Sequence, residues 1–147
     1  MKITDAFIAE HAVIYAQLDH LEAVIPSART LGEVKVMAGL LEAALKPHAD
    51  AEDEFLFNGL EPGLDQMGKL ETVQLEHDAI CHGLELVRGS RSKKDAQRRL
   101  LSVVQLTRKE FDVEDRILFK MAEELLRPET LMKLGKAWAR KRNVPAR

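Results

Sequence analysis

Four stretches of this chain repeat apolar residues at alternating spacings of three and four, the signature of one face of an α-helix. The first holds Phe7, Ile14, Leu18, Leu21 and Ile25, and the second Leu41, Ala44, Leu45, Phe55 and Leu56. The third holds Leu70, Val73, Ile80, Leu84 and Val87, and the fourth Val103, Leu106, Thr107, Ile117, Leu118 and Met121. Sustained alternation of β-branched and aromatic residues, which a strand needs, is absent. The turn residues agree with this reading. Pro26-Ser27 ends the first helix, and Thr30-Leu31-Gly32-Glu33 is a capping box that opens the second. Asn58-Gly59 and Pro62-Gly63 end the second, and Gly89-Ser90-Arg91-Ser92 ends the third. Ser92 or Asp95 caps the fourth, which runs to Arg127 before Pro128. The predicted helices span 4–25, 31–58, 65–89 and 94–126, with a short amphipathic one over 129–141. Loops this short favour antiparallel neighbours. The expected fold is all-α: an up-down antiparallel four-helix bundle over residues 1–127, with a basic amphipathic extension over 128–147. Trp138, Leu131 and Leu134 would pack that extension on the bundle, or pair it with a second copy as a homodimer.

Composition narrows the class. A chain of 147 residues makes one domain and buries about two-thirds of its unfolded surface. No apolar run approaches the roughly 20 residues of a membrane helix. The start, Met1-Lys2-Ile3-Thr4-Asp5, lacks the basic-then-apolar pattern of an export signal, so the expected location is cytoplasmic and no membrane role is read. The lone Cys81 excludes an internal disulfide framework and a Cys-rich zinc site. A net charge of −2 and a pI of about 6.2 argue against a general nucleic-acid-binding surface.

Each stripe is interrupted by a polar residue where an apolar one belongs. His11 falls between Phe7 and Ile14, and His77 between Val73 and Ile80. His48 and Glu52 fall between Leu45 and Phe55, and Glu110 and Glu114 between Thr107 and Ile117. In a helical hairpin, residues at one height lie equally far from the turn. The midpoint of 11 and 48 falls at 29–30, that of 52 and 77 at 64–65, and that of 77 and 110 at 93–94, each in or beside a predicted turn. At 1.5 Å rise per residue, an error of two residues moves a side chain only about 3 Å. All six groups can therefore meet in one layer.

The chain also repeats itself. Glu10-His11 resembles Glu76-His77 at an offset of 66, and the run from His48 to Phe57 resembles that from Glu110 to Phe119 at an offset of 62. Each hairpin supplies one imidazole and then a ligand-x-x-x-Glu pair, an arrangement suited to two metals. Three ionised carboxylates in an apolar core would each cost several kcal/mol without a partner. No Lys or Arg sits on these stripes at that level. Two divalent cations would compensate the charge, and mixed imidazole and carboxylate donors suit iron, with manganese or zinc also compatible. Taken singly, each residue has a plainer reading: a hydrogen-bonded core histidine, a boundary glutamate, or a solvated acid for Asp53 and Glu54.

Glu10-His11, His48-x-x-x-Glu52, Glu76-His77 and the run Glu114-Asp115-x-x-Leu118-Phe119 together resemble the hemerythrin-like, or HHE cation-binding, family across about residues 5–126. The resemblance implies a non-haem di-iron centre with an oxo or hydroxo bridge. His11 and His48 would then be terminal ligands of one iron, His77 and Glu110 would serve the other, and Glu52 and Glu114 would bridge both. Two departures matter. The family usually has His where this chain has Glu110, and its oxygen carriers have a further His where this chain has Cys81. With two ferrous ions and one hydroxide, three carboxylates bring the site to about neutral. A hard anionic ligand in place of nitrogen favours the ferric state, against reversible oxygen carriage and toward peroxide chemistry or sensing.

Tyr15, one turn after His11, is a candidate donor to the cluster or an ordinary core tyrosine. Cys81, one turn after His77, reads as a buried structural thiol before a ligand. His20 and His82 are rotated to the surface. Pro47 would kink the second helix to aim His48, or divide it in two. The basic tail, Lys133, Lys136, Arg140, Lys141, Arg142 and Arg147, reads as a solvated helix end. Three functions stand as expectations. The first is a di-iron protein that engages dioxygen, peroxide or nitric oxide in a redox, oxygen or iron response. The second is a di-iron enzyme, either a catalase or peroxidase or a nitric oxide reductase. The third is a metal-free helical interaction module that has kept only the bundle.

Overall fold

The computed structural model describes residues 1–58 and 69–145, with backbone alone at 69 and 70. The expected turn at Gly59, Pro62 and Gly63, the first residues of the predicted third helix, the Leu70 side chain and Arg147 lie outside the described residues. Among those described there is no strand. The helices are α1 (Ile3–Val24), α2 (Leu31–Glu52), α3 (Lys69–Arg88), α4 (Lys93–Val113), α5 (Phe119–Leu125) and α6 (Pro128–Lys141). A single 3-10 turn, Ile25–Ser27, closes α1 at Pro26. Thr30 caps α2 by accepting from the Glu33 N–H at 3.1 Å. The Glu33 carboxylate reaches back to the Arg29 N–H at 2.6 Å, one residue short of the expected box. Ser92, not Asp95, caps α4 by accepting from the Asp95 N–H at 3.2 Å.

Two departures from α geometry went unforeseen. After Glu52 the chain makes one π-helical turn, Asp53–Phe57, in which the Asn58 N–H bonds the Asp53 carbonyl five residues back. A second, Glu114–Leu118, joins α4 to α5 and is closed by the Phe119 N–H on the Glu114 carbonyl. An α-helix would use a four-residue spacing, so each turn holds one extra residue. That residue rotates the next stretch of helix about its own axis. Leu118 and Phe119 point inward, whereas Ile117, expected on the dry face, is 40% exposed. Leu106 is also outward, because the buried edge of α4 runs through Val103, Val104, Thr107, Glu110 and Phe111. Pro47 lies inside an unbroken α2, which removes the reading of two shorter helices.

The apolar core is in two pieces. One contains Ile14, Leu18, Leu45, Ile80, Leu84, Val104 and Phe111. The other contains Phe7, Ala51, Leu56, Phe57, Val73, Leu118 and Phe119, with Leu131 and Trp138 from α6. Each of α1, α2 and α3, and α4 traced through its adjoining π turn, passes from one piece to the other. They cross at His11, at His48 and Glu52, at His77, and at Glu110 and Glu114. A polar layer therefore divides the core at one level. Burying a Leu or Phe side chain contributes about 1.5–3 kcal/mol, so the flanking clusters are strong enough to hold an unfavourable layer between them.

Candidate metal centre

All six residues expected in that layer are brought together. His11, His48, Glu52 and Glu114 form one group and His77, Glu110 and Glu114 a second, with the donor atoms of each group within 4.8 Å of one another. Glu52 turns Oε1 toward His48 Nε2 at 3.1 Å and His11 Nε2 at 3.6 Å, and Oε2 toward His77 Nε2 at 3.8 Å. Glu114 divides the same way, with Oε2 at 3.2 Å from His11 Nε2 and Oε1 at 3.7 Å from His77 Nε2. Both carboxylates thus present one oxygen to each half of the layer, which is the geometry a bridging ligand needs. Glu110 Oε1 lies 2.6 Å from His77 Nε2.

These groups fit cations and little else. Both oxygens of Glu52, both of Glu114 and Oε1 of Glu110 are buried with no donor in hydrogen-bonding geometry. The imidazoles do not relieve them. His11 Nδ1 lies 2.8 Å from Asp115 Oδ1, and His48 Nδ1 lies 2.6 Å from Glu10 Oε2. A ring that gives its Nδ1 proton to a carboxylate turns a lone pair inward at Nε2. The Nε2 atoms of His11 and His48 are 3.0 Å apart. Lone pairs that close repel unless a proton or a metal ion lies between them. Carboxylate–histidine pairs of this kind orient metal-bound imidazoles and raise their basicity.

Without metal, protons take that place. Burial pulls the His11 ring down, but Asp115, Glu114 and Glu52 override it and raise its pKa to about 11. Burial likewise opposes charge on His77, yet Glu110, Glu114 and Glu52 bring it to about 11. His48 rises to about 9, with Glu52 and Glu10 overcoming the same penalty. Glu52 bears that penalty too, and His48 and His11 still hold it down to about 2. Burial wins at Glu110, pushing it to about 7, and at Glu114, which burial and neighbouring Glu52 raise.

The two halves differ in their surroundings. His11 is stacked on Phe111 with ring centroids 3.8 Å apart and inclined to Phe119 at 5.4 Å. His77 instead borders a cavity of about 310 Å³ between α2 and α3, walled by Leu45, Ile80, Leu84 and Phe111 and lined also by His48 and Glu110. Cys81, expected as a buried thiol, is exposed and lines this cavity. One turn beyond His77 on a single helix, its side chain is carried around to the rim. Tyr15 sets its ring edge-on to His11 and Phe111, with centroids 6.5 and 5.6 Å away, and makes no hydrogen bond to the cluster. His20 and His82 are exposed, as expected. Glu10 and Asp115, the partners of His48 and His11, were visible from sequence only as parts of a motif, without a role of their own.

The sequence matches the Hemerythrin HHE cation binding domain over residues 2–122. The chain belongs to that family. No curated protein and no solved structure matches it. As a hemerythrin HHE domain, it carries a buried His and Glu cluster able to bind metal, in a helical bundle.

Proposed function

We propose that this hemerythrin-like chain holds a non-haem di-iron centre with an oxo or hydroxo bridge, and that it engages dioxygen, peroxide or nitric oxide in a redox, oxygen or iron response within the cytoplasm. The observation that carries this reading is the convergence of five donor-less carboxylate oxygens and three imidazole Nε2 atoms on two adjoining points. His11 and His48 hold one ion, His77 and Glu110 the other, and Glu52 and Glu114 span both. Iron supplies the redox change and the coordination position for the small ligand, while manganese or zinc suits the same donors. Glu10 and Asp115 keep the Nδ1 protons of His48 and His11, so both rings offer Nε2. Phe111 and Phe119 exclude water on the His11 side, and the cavity admits the ligand on the His77 side.

Glu110 supplies an oxygen donor where a nitrogen would favour the ferrous state, so the centre suits redox or peroxide chemistry better than reversible oxygen carriage. An enzymatic reading, as a di-iron catalase or peroxidase or a nitric oxide reductase, is favoured by one observation: the cavity reaches ligand candidates of the centre, His48, His77 and Glu110. Anaerobic reconstitution with ferrous iron tests both. Two irons per chain and new optical bands on exposure to air, peroxide or nitric oxide are expected. Oxygen evolution from peroxide selects the enzyme. No bound metal after reconstitution overturns the proposal and leaves a helical interaction module.

A further inference from the structure

Helix α6 lies beyond the residues that match the family, yet two side chains at its end reach the back of a metal-ligand candidate. His48 offers Nε2 to a cation only while its proton sits on Nδ1, and Glu10 Oε2 receives that proton's hydrogen bond at 2.6 Å. Glu10 must itself be held. Its other oxygen, Oε1, accepts from Trp138 Nε1 at 3.0 Å and from Arg142 Nε at 2.8 Å. Arg142 Nη2 also donates to the carbonyl of Pro47, the residue before His48, at 2.9 Å. One guanidinium therefore ties α1 to α2 at the height of the ligand. The helix is seated closely enough to do this because Gly135 has no side chain: a Cβ there would come 2.3 Å from the Met1 carbonyl oxygen. Leu131, Trp138 and Ala139 are buried in the same apolar cluster as Phe7 and Phe119.

The repeat provides an internal control. Glu76 corresponds to Glu10, and Glu110 to His48. Glu76 Oε2 is buried with no hydrogen-bond partner. The support is built where the repeat has an imidazole, at His48, and is missing where the repeat has the Glu110 carboxylate instead.

We propose that Trp138 and Arg142 are positioning residues for metal binding: acting through Glu10, they fix the tautomer and orientation of His48, so the C-terminal helix sets the metal affinity of the His11–His48 half-site. This rests on reading the cluster as a metal centre. The test uses the full-length protein and zinc, titrated against a chromophoric chelator. Removal of a group behind a metal ligand typically weakens binding about 10- to 100-fold. Arg142→Gln should weaken one of the two binding steps about tenfold, and Trp138→Phe somewhat less. Arg142→Lys should recover part of the loss. Trp138 is the only tryptophan, so its emission should shift on zinc loading, and Glu10→Gln should abolish that shift. Leu134→Ala, a packing change on the same helix away from Glu10, should lower the melting temperature and leave zinc affinity unchanged. Unchanged affinity in Arg142→Gln and Trp138→Phe, or an equal loss in Leu134→Ala, overturns the inference while the metal centre stands. An unmodified chain that takes no zinc overturns both.

Discussion

In the half-site of His11 and His48 both rings bond a carboxylate through Nδ1, and aromatic rings stack on His11 and stand edge-on to His48. The half-site of His77 and Glu110 comes from the matching segments of the repeat, yet one ligand candidate differs and the surroundings loosen. His77 is 16% exposed against 1% for His11, and Glu76 has a buried oxygen without a partner. A two-metal centre needs one position that is held and one that can exchange ligands. Two differences within the repeat accompany the division: position 110 is Glu where its counterpart is His48, and Phe111, which stacks on His11, has Ala49 as its counterpart. The first gives the metal an oxygen donor in place of a nitrogen.

The largest effect should come from a group common to both halves. Glu114→Gln should take the metal content from about two ions per chain to less than one, by elemental analysis. It should also erase the rise in melting temperature on loading, a stabilisation of about 4 kcal/mol at a metal concentration 1,000 times the dissociation constant. Loss confined to one ion would show that Glu114 belongs to a single half.

Proton and metal compete for these donors, so loaded and metal-free proteins should diverge with pH. His11 and His77 at about 11 and His48 at about 9 lie above their usual 6.5. Their contribution is complete below pH 6.5 and is lost as pH climbs through 9 to 11. Glu110, raised from 4.5 to about 7, loses stability with rising pH in the same sense between those values. Glu52 runs the other way: its contribution is present above pH 4.5 and fades as pH falls toward 2. The metal-free melting temperature should therefore fall from pH 6.5 to 9. Metal binds the deprotonated ligands, so the gap to the loaded protein should widen over the same range. A gap that narrows would contradict the proton-for-metal exchange.

Glu110→His should make the halves alike. It exchanges an oxygen donor for a nitrogen and puts an imidazole at the position that repeats His48. The weaker of the two metal-binding steps should tighten about tenfold by chelator competition. The reduction potential should rise. No change in either would place the asymmetry elsewhere. Smallest of all, Ala49→Phe, at the cavity wall, should slow azide binding to the loaded protein several-fold in stopped flow with metal content unaltered. An undiminished rate would mean that ligands arrive by another path.

The ligand candidates were legible in the sequence because a charged side chain on a dry helical face is conspicuous, and turn symmetry set all six at one height. The residues that escaped lie outside that logic. Ile117 looked like a core residue because a 3–4 spacing assumes uninterrupted α geometry, and the π turn at 114–118 breaks that assumption. Asp115 sits in an acidic run, where nothing local distinguishes a histidine's partner from a solvated acid. Arg142 read as part of a solvated basic tail, yet it ties to Glu10, 132 residues away. Lys141 likewise pairs with Glu54. Contacts that distant leave no periodic trace.

The two π turns also act as reservoirs of length. Each stores a surplus residue beside a shared carboxylate. Deleting one position between Glu114 and Phe119 would let the turn rewind into ordinary helix, with Leu118 and Phe119 then three and four positions after Glu114 and still on its face. Ala122, then seven positions on, would stay inward with them. A one-residue deletion should be absorbed there, whereas the same deletion in the neighbouring stretch of helix would turn the following side chains by about 100°.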